Sequence, residues 1–326
     1  MNNIEPNKKI TLPPTGSWPE TVHVFDEQSI WAIKAALAAQ RPLLLRGEPG
    51  TGKSQLARAA AHALNRAFVF EVVHARSECQ ELQWHFDAVG RLGEAQAIGI
   101  AGNSENKDKK LDPLRFLTPG ALWWTLNWKS AEQQFERSTK GVRTPERPEG
   151  WTPDKGCVLL IDEIDKADAD LPNGLLETLG NGAFAVPHID HSVGLPKGAP
   201  PPLVVITTNE ERELPPAFIR RCMVMHLKLP DKENDLIEWL TKRGRMHFSD
   251  CPEAVLTKAA ELLWTDRSPA LDRGLPAPGQ AEYLDILRAI MVIGRDGKKR
   301  LDQTEKLNIL KEISGFALKK HPEESR

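Results

Sequence analysis

Eight consecutive residues carry the first chemistry of this chain: Gly47, Glu48, Pro49, Gly50, Thr51, Gly52, Lys53 and Ser54 fit the pattern GxxxxGK[ST]. In such a loop the glycines let backbone N–H groups turn inward around phosphate oxygens. The Lys53 ammonium is then placed to reach β and γ phosphates, and the Ser54 hydroxyl to ligate Mg²⁺. Farther on, residues 157–168 read CVLLIDEIDKAD, an apolar run that ends on Asp162 and Glu163. Asp162 can hold Mg²⁺ through water and Glu163 can polarise an attacking water as general base, unless the two carboxylates are a solvated helix start. Asn209 closes the run LVVITTN, where its amide either orients a lytic water or makes a turn. Arg220 and Arg221 follow Pro215 and Pro216. They read as a solvated helix end, as salt-bridge partners, or as fingers that reach a neighbouring subunit's γ-phosphate. Asp165, Asp168 and Asp170 lack the final ligand of a calcium loop and read as helix N-terminal and surface charge.

These residues need strands and helices to position them, and the apolar pattern supplies candidates. Residues 29–39 place Ile30, Ile33, Ala36 and Leu37 on one helical stripe, and a short strand follows over 43–45. The phosphate loop comes directly after that strand and opens a helix over 53–65, the context its mechanism demands. Buried strands are expected over 68–73, 158–161 and 203–207, and an alternating one over 223–229 with Val224, His226 and Lys228 on one face. Strands separated by helical stretches predict an α/β fold, a parallel sheet with helices on both faces, and the pair Asp162-Glu163 then sits at a strand's C-terminal end, where such sheets bind ligands. After Pro230 the pattern turns helical, with no strand expected. The organisation read from this is an extended arm over 1–21, an α/β nucleotide-binding domain over 22–230 and a helical lid domain over 231–326. Two polar stretches, 102–113 and 138–156, read as exposed loops.

Composition excludes several function classes. Across 326 residues, 43 Lys and Arg stand against 45 Asp and Glu, a net charge of −2, so no bulk basic field exists to draw nucleic acid or an anionic membrane. Length sets an expectation of about two domains. The four cysteines form no CxxC pair, which argues against a zinc cage or disulfide framework. No apolar run approaches the roughly 18 residues of a membrane span, and the first residues lack the apolar core of a secretory signal. The expected location is the cytoplasm. Lys140, Arg143 and Arg147 with Trp151 make a small basic and aromatic group, read as a solvated loop, and His188, Asp190 and His191 sit in a turn-rich hairpin rather than a metal site. An NKxD motif for guanine is not completed, because Lys109 follows Asn106-Lys107-Asp108. Nine tryptophans stand beside a single tyrosine, Tyr283. Trp124 and Trp128, four apart on one expected helix, read as core, whereas Trp84 and Trp151 are expected to be exposed toward a partner.

With these residues assembled, the chain resembles the AAA+ ATPases, and within them the MoxR-like group related to the dynein-type branch. The resemblance rests on GEPGTGKS, LLIDEIDKAD, residues 171–177, ITTNEERELPPAFIRRC and LKLPD, and it covers residues 25–230 closely and the helical region to about 293 loosely. It implies a five-stranded parallel core with a small helical lid, ATP at subunit interfaces and a homo-oligomeric, hexameric ring. Matched position by position, it makes Lys53 and Ser54 the Walker A residues, Asp162 and Glu163 the Walker B residues, Asn209 sensor 1, and Arg221 the finger, with Arg220 beside it. An insertion in the second helix is implied over about 81–113, followed by a helix at PGALWWTLN. The chain departs from the family at sensor 2: Gly279, Gln280 and Ala281 stand where relatives carry an arginine, and Arg273 and Arg288 are out of register, so that role stays unassigned.

The resemblance implies Mg²⁺-dependent ATP hydrolysis coupled to remodelling or assembly of a protein client, together with a partner bearing a von Willebrand factor A domain. A nucleic-acid motor or restriction-type NTPase shares the fold but not the charge balance. A scaffold that binds ATP and barely hydrolyses it is disfavoured by intact Glu163 and Asn209. The long stretch between Lys53 and Asp162 is where partner specificity is expected.

Overall fold

Apolar runs rich in leucine, valine, isoleucine and phenylalanine pair as strands here because both of their faces are covered. The computed structural model describes residues 4–16, 18–101, 107–139, 144–189, 192–293, 295–296 and 299–318. Five strands, β1 (Leu43–Arg46), β2 (Ala67–Val72), β3 (Cys157–Asp162), β4 (Leu203–Thr208) and β5 (Met223–His226), form one sheet in the order β5-β1-β4-β3-β2. Every neighbouring pair is parallel, and the register sets Ile206 beside Ile161 and Thr208 beside Arg46. The C-terminal ends of β1, β3 and β4 therefore finish side by side.

The period of two along each strand divides the core. Leu44, Leu159, Ile161, Val204 and Ile206 face one apolar cluster, while Leu43, Leu45, Val158, Leu160 and Val205 face another. Helices α1 (Glu27–Ala39) and α2 (Lys53–Ala63) cover the second face, and α3 (Asp170–Asn181) covers the first. The α1 stripe is Ile30, Ile33, Ala36 and Leu37, as its spacing predicts, and Asp26 caps the helix by accepting from the Ser29 N–H.

Beyond Leu229, helices α4 (Glu233–His247), α5 (Glu253–Asp272), α6 (Gln280–Ile293) and α7 (Gln303–Ala317) pack about a separate apolar cluster that includes Leu236, Leu256, Leu263 and Leu287. Tyr283 is fully buried there, and its hydroxyl donates to the Leu256 carbonyl at 3.2 Å. The five-stranded parallel core with a helical region after it is the expected fold class. Among the described residues no helix is long and apolar enough to cross a membrane.

Several local expectations are corrected. The strand expected to reach residue 229 stops at His226, and Leu229 instead joins the cluster of the C-terminal helices. The helical region is not free of strands, since Arg295–Asp296 pairs antiparallel with Lys299–Arg300. Trp124 and Trp128 lie on two helices, Ala121–Leu126 and Trp128–Arg137, because Asn127 leaves helical geometry and caps the second by accepting from the Ser130 N–H. Their rings still meet at 5.0 Å. Trp151, expected to be exposed, is buried against Trp128, with its indole N–H donating to the Gly156 carbonyl. An indole that finds both an apolar bed and a hydrogen-bond acceptor is more stable inside. Trp84 is half-buried and begins a short strand, Trp84–Phe86, that pairs antiparallel with Leu117–Pro119 and brackets the helix Ala88–Ala101.

The described part of the leading arm is paired. Lys9–Leu12 and Thr21–Val24 form an antiparallel ladder, and Leu12 is buried completely. The short polar stretch near residue 110 contains the helical turns Lys107–Lys110 and Pro113–Phe116. Lys140, Arg143, Asp190, His191 and Asn106 lie outside the described residues.

Candidate active site

The strand ends described above surround a cavity of about 420 Å³ whose walls come from the phosphate loop, the ends of β3 and β4, the Thr21–Val24 strand and the C-terminal helices. The phosphate loop turns immediately after β1. At Gly47, with φ of 143°, a side chain would place its first carbon 2.3 Å from the Leu227 carbonyl oxygen, so only glycine lets the loop pass this close to the neighbouring chain. Lys53 opens α2, and its ammonium donates to the carbonyls of Gly47 at 2.7 Å and Glu48 at 2.8 Å. Burial pushes this ammonium down from its ordinary value, opposed by the carboxylates of Asp162, Asp165, Glu163 and Glu210. The first turn of α2 also presents the positive end of a helix to the loop.

Ser54 donates to the Asp162 carboxylate at 2.8 Å. A hydroxyl and a carboxylate in contact are hard oxygen donors of the kind Mg²⁺ accepts alongside phosphate and water. Among the described residues no group of three His, Cys, Asp or Glu forms a metal cage, so a metal held here would complete its shell from outside the protein. The residues present fit Mg²⁺ on those terms.

Glu163, the next residue after Asp162, has a left-handed backbone with φ of 58°. One oxygen of its carboxylate accepts from the Asn209 side-chain amide at 3.2 Å, and the other pairs with the Lys166 ammonium. The contact with Asn209 spans β3 and β4, and the parallel register is what makes it: the two residues stand at adjacent strand ends although 46 positions separate them. The hydrogen bond to Glu163 raises Lys166 above its ordinary value.

Asp165, read from sequence as surface or helix-terminal charge, is buried. Its carboxylate accepts from the Glu211 N–H at 2.9 Å and the Asn209 N–H at 3.4 Å, which ties the loop after β4 to the turn after β3. Asp168 is exposed and pairs with Arg212, as surface charge should, and Asp170 lies in the first turn of α3.

The C-terminal helices meet the phosphate loop through a residue that sequence reasoning passed over. Arg267 is only 4% exposed, and its guanidinium donates to Glu48 at 2.7 Å and to the Pro278 carbonyl at 3.0 Å. A signal was present: the buried stripe of α5 runs through Leu256, Ala260, Leu263, Arg267 and Ala270. An arginine on an apolar stripe implies a buried acceptor. Of the segment at the sensor 2 place, the Ala281 N–H donates to the Gly50 carbonyl at 3.1 Å and Gln280 lines the cavity. Arg288 also lines it and pairs with Asp285, while Arg273 is exposed at the end of α5.

A family model for the AAA domain of the dynein-related subfamily matches residues 42–222. The chain belongs to this family. The match runs from β1 to Cys222 and takes in the phosphate loop, Asp162, Glu163, Asp165 and Asn209, while the Thr21–Val24 strand, Leu227 and the C-terminal helices lie outside it. Membership in the AAA+ ATPases implies nucleotide binding. Among solved structures, the chain is similar to a candidate ATPase from Cytophaga hutchinsonii, 17% identical over 89% of this chain and 79% of that one, with a TM-score of 0.36. It is also similar to a point mutant of RuvB from Thermotoga maritima, 16% identical over 89% and 70% of the two chains, with a TM-score of 0.45. No curated protein matches it.

In this AAA+ chain Arg220 and Arg221 stand apart from the cavity. Both are exposed at the end of the Pro216–Ile219 helix, and among the described residues the Arg221 guanidinium donates to the Ala217 carbonyl, at 3.4 Å. Arg41 holds the segment that carries them, donating to the backbone carbonyls of Arg220, Arg221 and Cys222. The basic and aromatic group near residue 147 does not form a stacking surface among the described residues, since Arg147 pairs with Glu132 and Trp151 is buried.

Proposed function

We propose that this AAA+ chain hydrolyses ATP with Mg²⁺ and, in a hexameric ring of the MoxR type, couples turnover to remodelling or assembly of a protein client. The observation that carries the reading is Glu163 hydrogen-bonded to Asn209 at adjacent strand ends, next to the Ser54 and Asp162 pair. The backbone N–H groups of the loop, all but that of Pro49, which has none, wrap phosphate oxygens, and Lys53 leaves its loop carbonyls for the β and γ phosphates. Ser54 and Asp162 hold Mg²⁺, which when bound neutralises the phosphate oxygens. The Glu163 carboxylate accepts the proton of the attacking water while the Asn209 amide orients that water. Arg221 of one copy, with Arg220 beside it, reaches the γ-phosphate held by the next copy, in keeping with its position outside its own cavity.

In this reading residues 22–230 are the hydrolytic module, 231–326 the lid, and 1–21 a leading arm, with the protein acting in the cytoplasm. Client or partner contact, including a von Willebrand factor A domain, falls to the insertion over about 81–113. Val89, Leu92 and Ile100 stand exposed on its helix, which supports a contact role.

Substituting Glu163→Gln is expected to lower turnover about 10²- to 10⁴-fold while ATP binding and oligomerisation persist. Arg221→Ala should bind ATP and lose hydrolysis. Turnover by phosphate release, nucleotide affinity by calorimetry and mass by light scattering check these outcomes, and full turnover in both variants removes the assignment. Glu163→Gln trapped with ATP in its own cell should retain the client, and recovery of nucleic acid without protein would favour a nucleic-acid motor.

A further inference from the structure

One buried hydroxyl at the floor of the site, in the ITTN run, is neither a Walker nor a sensor residue. Thr207, next to last in β4, has no exposed surface. Its hydroxyl donates to Asp162 Oδ1 at 2.5 Å and accepts from the Glu163 N–H at 2.9 Å. A threonine hydroxyl has one proton and two lone pairs, so this group gives its proton to the first carboxylate and a lone pair to the backbone that carries the second. The neighbouring Thr208 hydroxyl does something else, accepting the Glu210 N–H at 3.0 Å within its own loop.

The two contacts matter because Glu163 is not in a relaxed conformation. Its φ of 58° and ψ of 49° lie in the left-handed region that residues with a β-carbon seldom adopt. Such a backbone persists only where its surroundings hold it, and such positions gather at functional sites. Here the Thr207 hydroxyl holds the N–H at the start of the residue, while the Lys166 N–H donates to the carbonyl at its end at 3.0 Å. From that backbone the Glu163 carboxylate extends to Asn209 and Lys166. The same hydroxyl pins the Asp162 rotamer that meets Ser54.

We propose that Thr207 is a positioning residue for hydrolysis, locking the Asp162 carboxylate and the left-handed Glu163 backbone with a single hydroxyl. The proposal rests on the reading of Glu163 as the base. Valine at 207 keeps the shape and the strand preference but removes both hydrogen bonds. Serine keeps the hydroxyl and loses only a methyl.

Thr207→Val is expected to lower turnover about 10²-fold, the scale of a misplacement near 1 Å. Its affinity for a non-hydrolysed ATP analogue should stay within about threefold, since the loop and Lys53 are untouched. Thr207→Ser should recover most of the lost turnover. A crystal structure of Thr207→Val should show Glu163 out of the left-handed region. Wild-type turnover in Thr207→Val overturns the proposal, as does equal loss in the serine and valine variants, or a loss confined to nucleotide affinity. An unmoved Glu163 in the valine variant also overturns it. If Thr207→Val fails to fold, the serine variant decides: near-normal turnover with Glu163 left-handed supports the hydroxyl's role, and a loss like that of Glu163→Gln opposes it. Full turnover in Glu163→Gln would sink the base assignment itself, whereas an inactive Glu163→Gln beside a fully active Thr207→Val sinks the Thr207 proposal alone.

Discussion

The two walls of the cavity are built by different means. On the sheet wall, Asp162, Glu163 and Asn209 sit at the ends of strands whose register is set by a ladder of backbone hydrogen bonds, with Thr207 and Asp165 bonded across it. On the helical wall the closest ties to the phosphate loop are the Arg267 contact with Glu48 and the backbone bond from Ala281 to Gly50. That wall packs about its own apolar cluster. A wall held by a ladder cannot shift without breaking a sheet, whereas a wall packed on its own core and tied to the rest by a few contacts, the Arg243 bond to the Val24 carbonyl at 3.0 Å among them, can move as a unit. The difference assigns precision to the sheet wall and motion to the helical one.

The comparison is open to attack at both ends. The largest effect is expected from Asp165→Ala, which strands two backbone N–H groups that a buried carboxylate now satisfies. Stability should fall by about 3 kcal/mol, with turnover lost as Asn209 drifts, measured by urea unfolding and phosphate release. A smaller change is expected from Arg267→Met. Glu48 is half exposed, which screens the pair, so the stability change should be about 1 kcal/mol. Nucleotide dissociation, followed with a fluorescent ATP analogue, should quicken about tenfold, the kinetic equivalent of about 1.4 kcal/mol. Equal damage to unfolding stability from both variants would erase the distinction between the walls.

The smallest effect concerns pH. Burial first, then the Arg243 guanidinium, lowers His23 to about 3 and His247 to about 4 from an ordinary 6.5, and both imidazoles line the cavity. Because the folded values are depressed, the folded protein binds fewer protons than the unfolded chain below pH 6.5, so stability is fully present above that pH and declines as pH falls toward 4. Unfolding midpoints at pH 7 and pH 5 should differ in that direction, and His23→Gln should shrink the difference. A flat profile, or one that rises toward pH 5, would mean that these imidazoles accept protons in the folded state.

Much of the sheet wall was legible before folding because its parts are local. A run of leucines before GEPGTGKS, and four apolar residues before Asp162, state both the strand and what it delivers. Asp165 was misread as surface charge because nothing next to it in sequence shows its partners, which lie 44 and 46 positions away. Trp151 was misread for the same reason: a tryptophan in a polar, proline-rich stretch looks exposed until Trp128 and the Gly156 carbonyl are seen to receive it. The two-helix break at Asn127 was hidden by an unbroken apolar pattern, although asparagine is a favoured cap.

The amino-acid sequence by itself determined the residue types of the site, the strands that end on them and the family to which the chain belongs, since each is written in consecutive residues. Only the tertiary structure decided which groups touch. Thr207 meets Asp162 across 45 positions and Arg267 meets Glu48 across 219. Such contacts depend on strand register and on the packing of separate apolar clusters, and those depend on the whole chain at once.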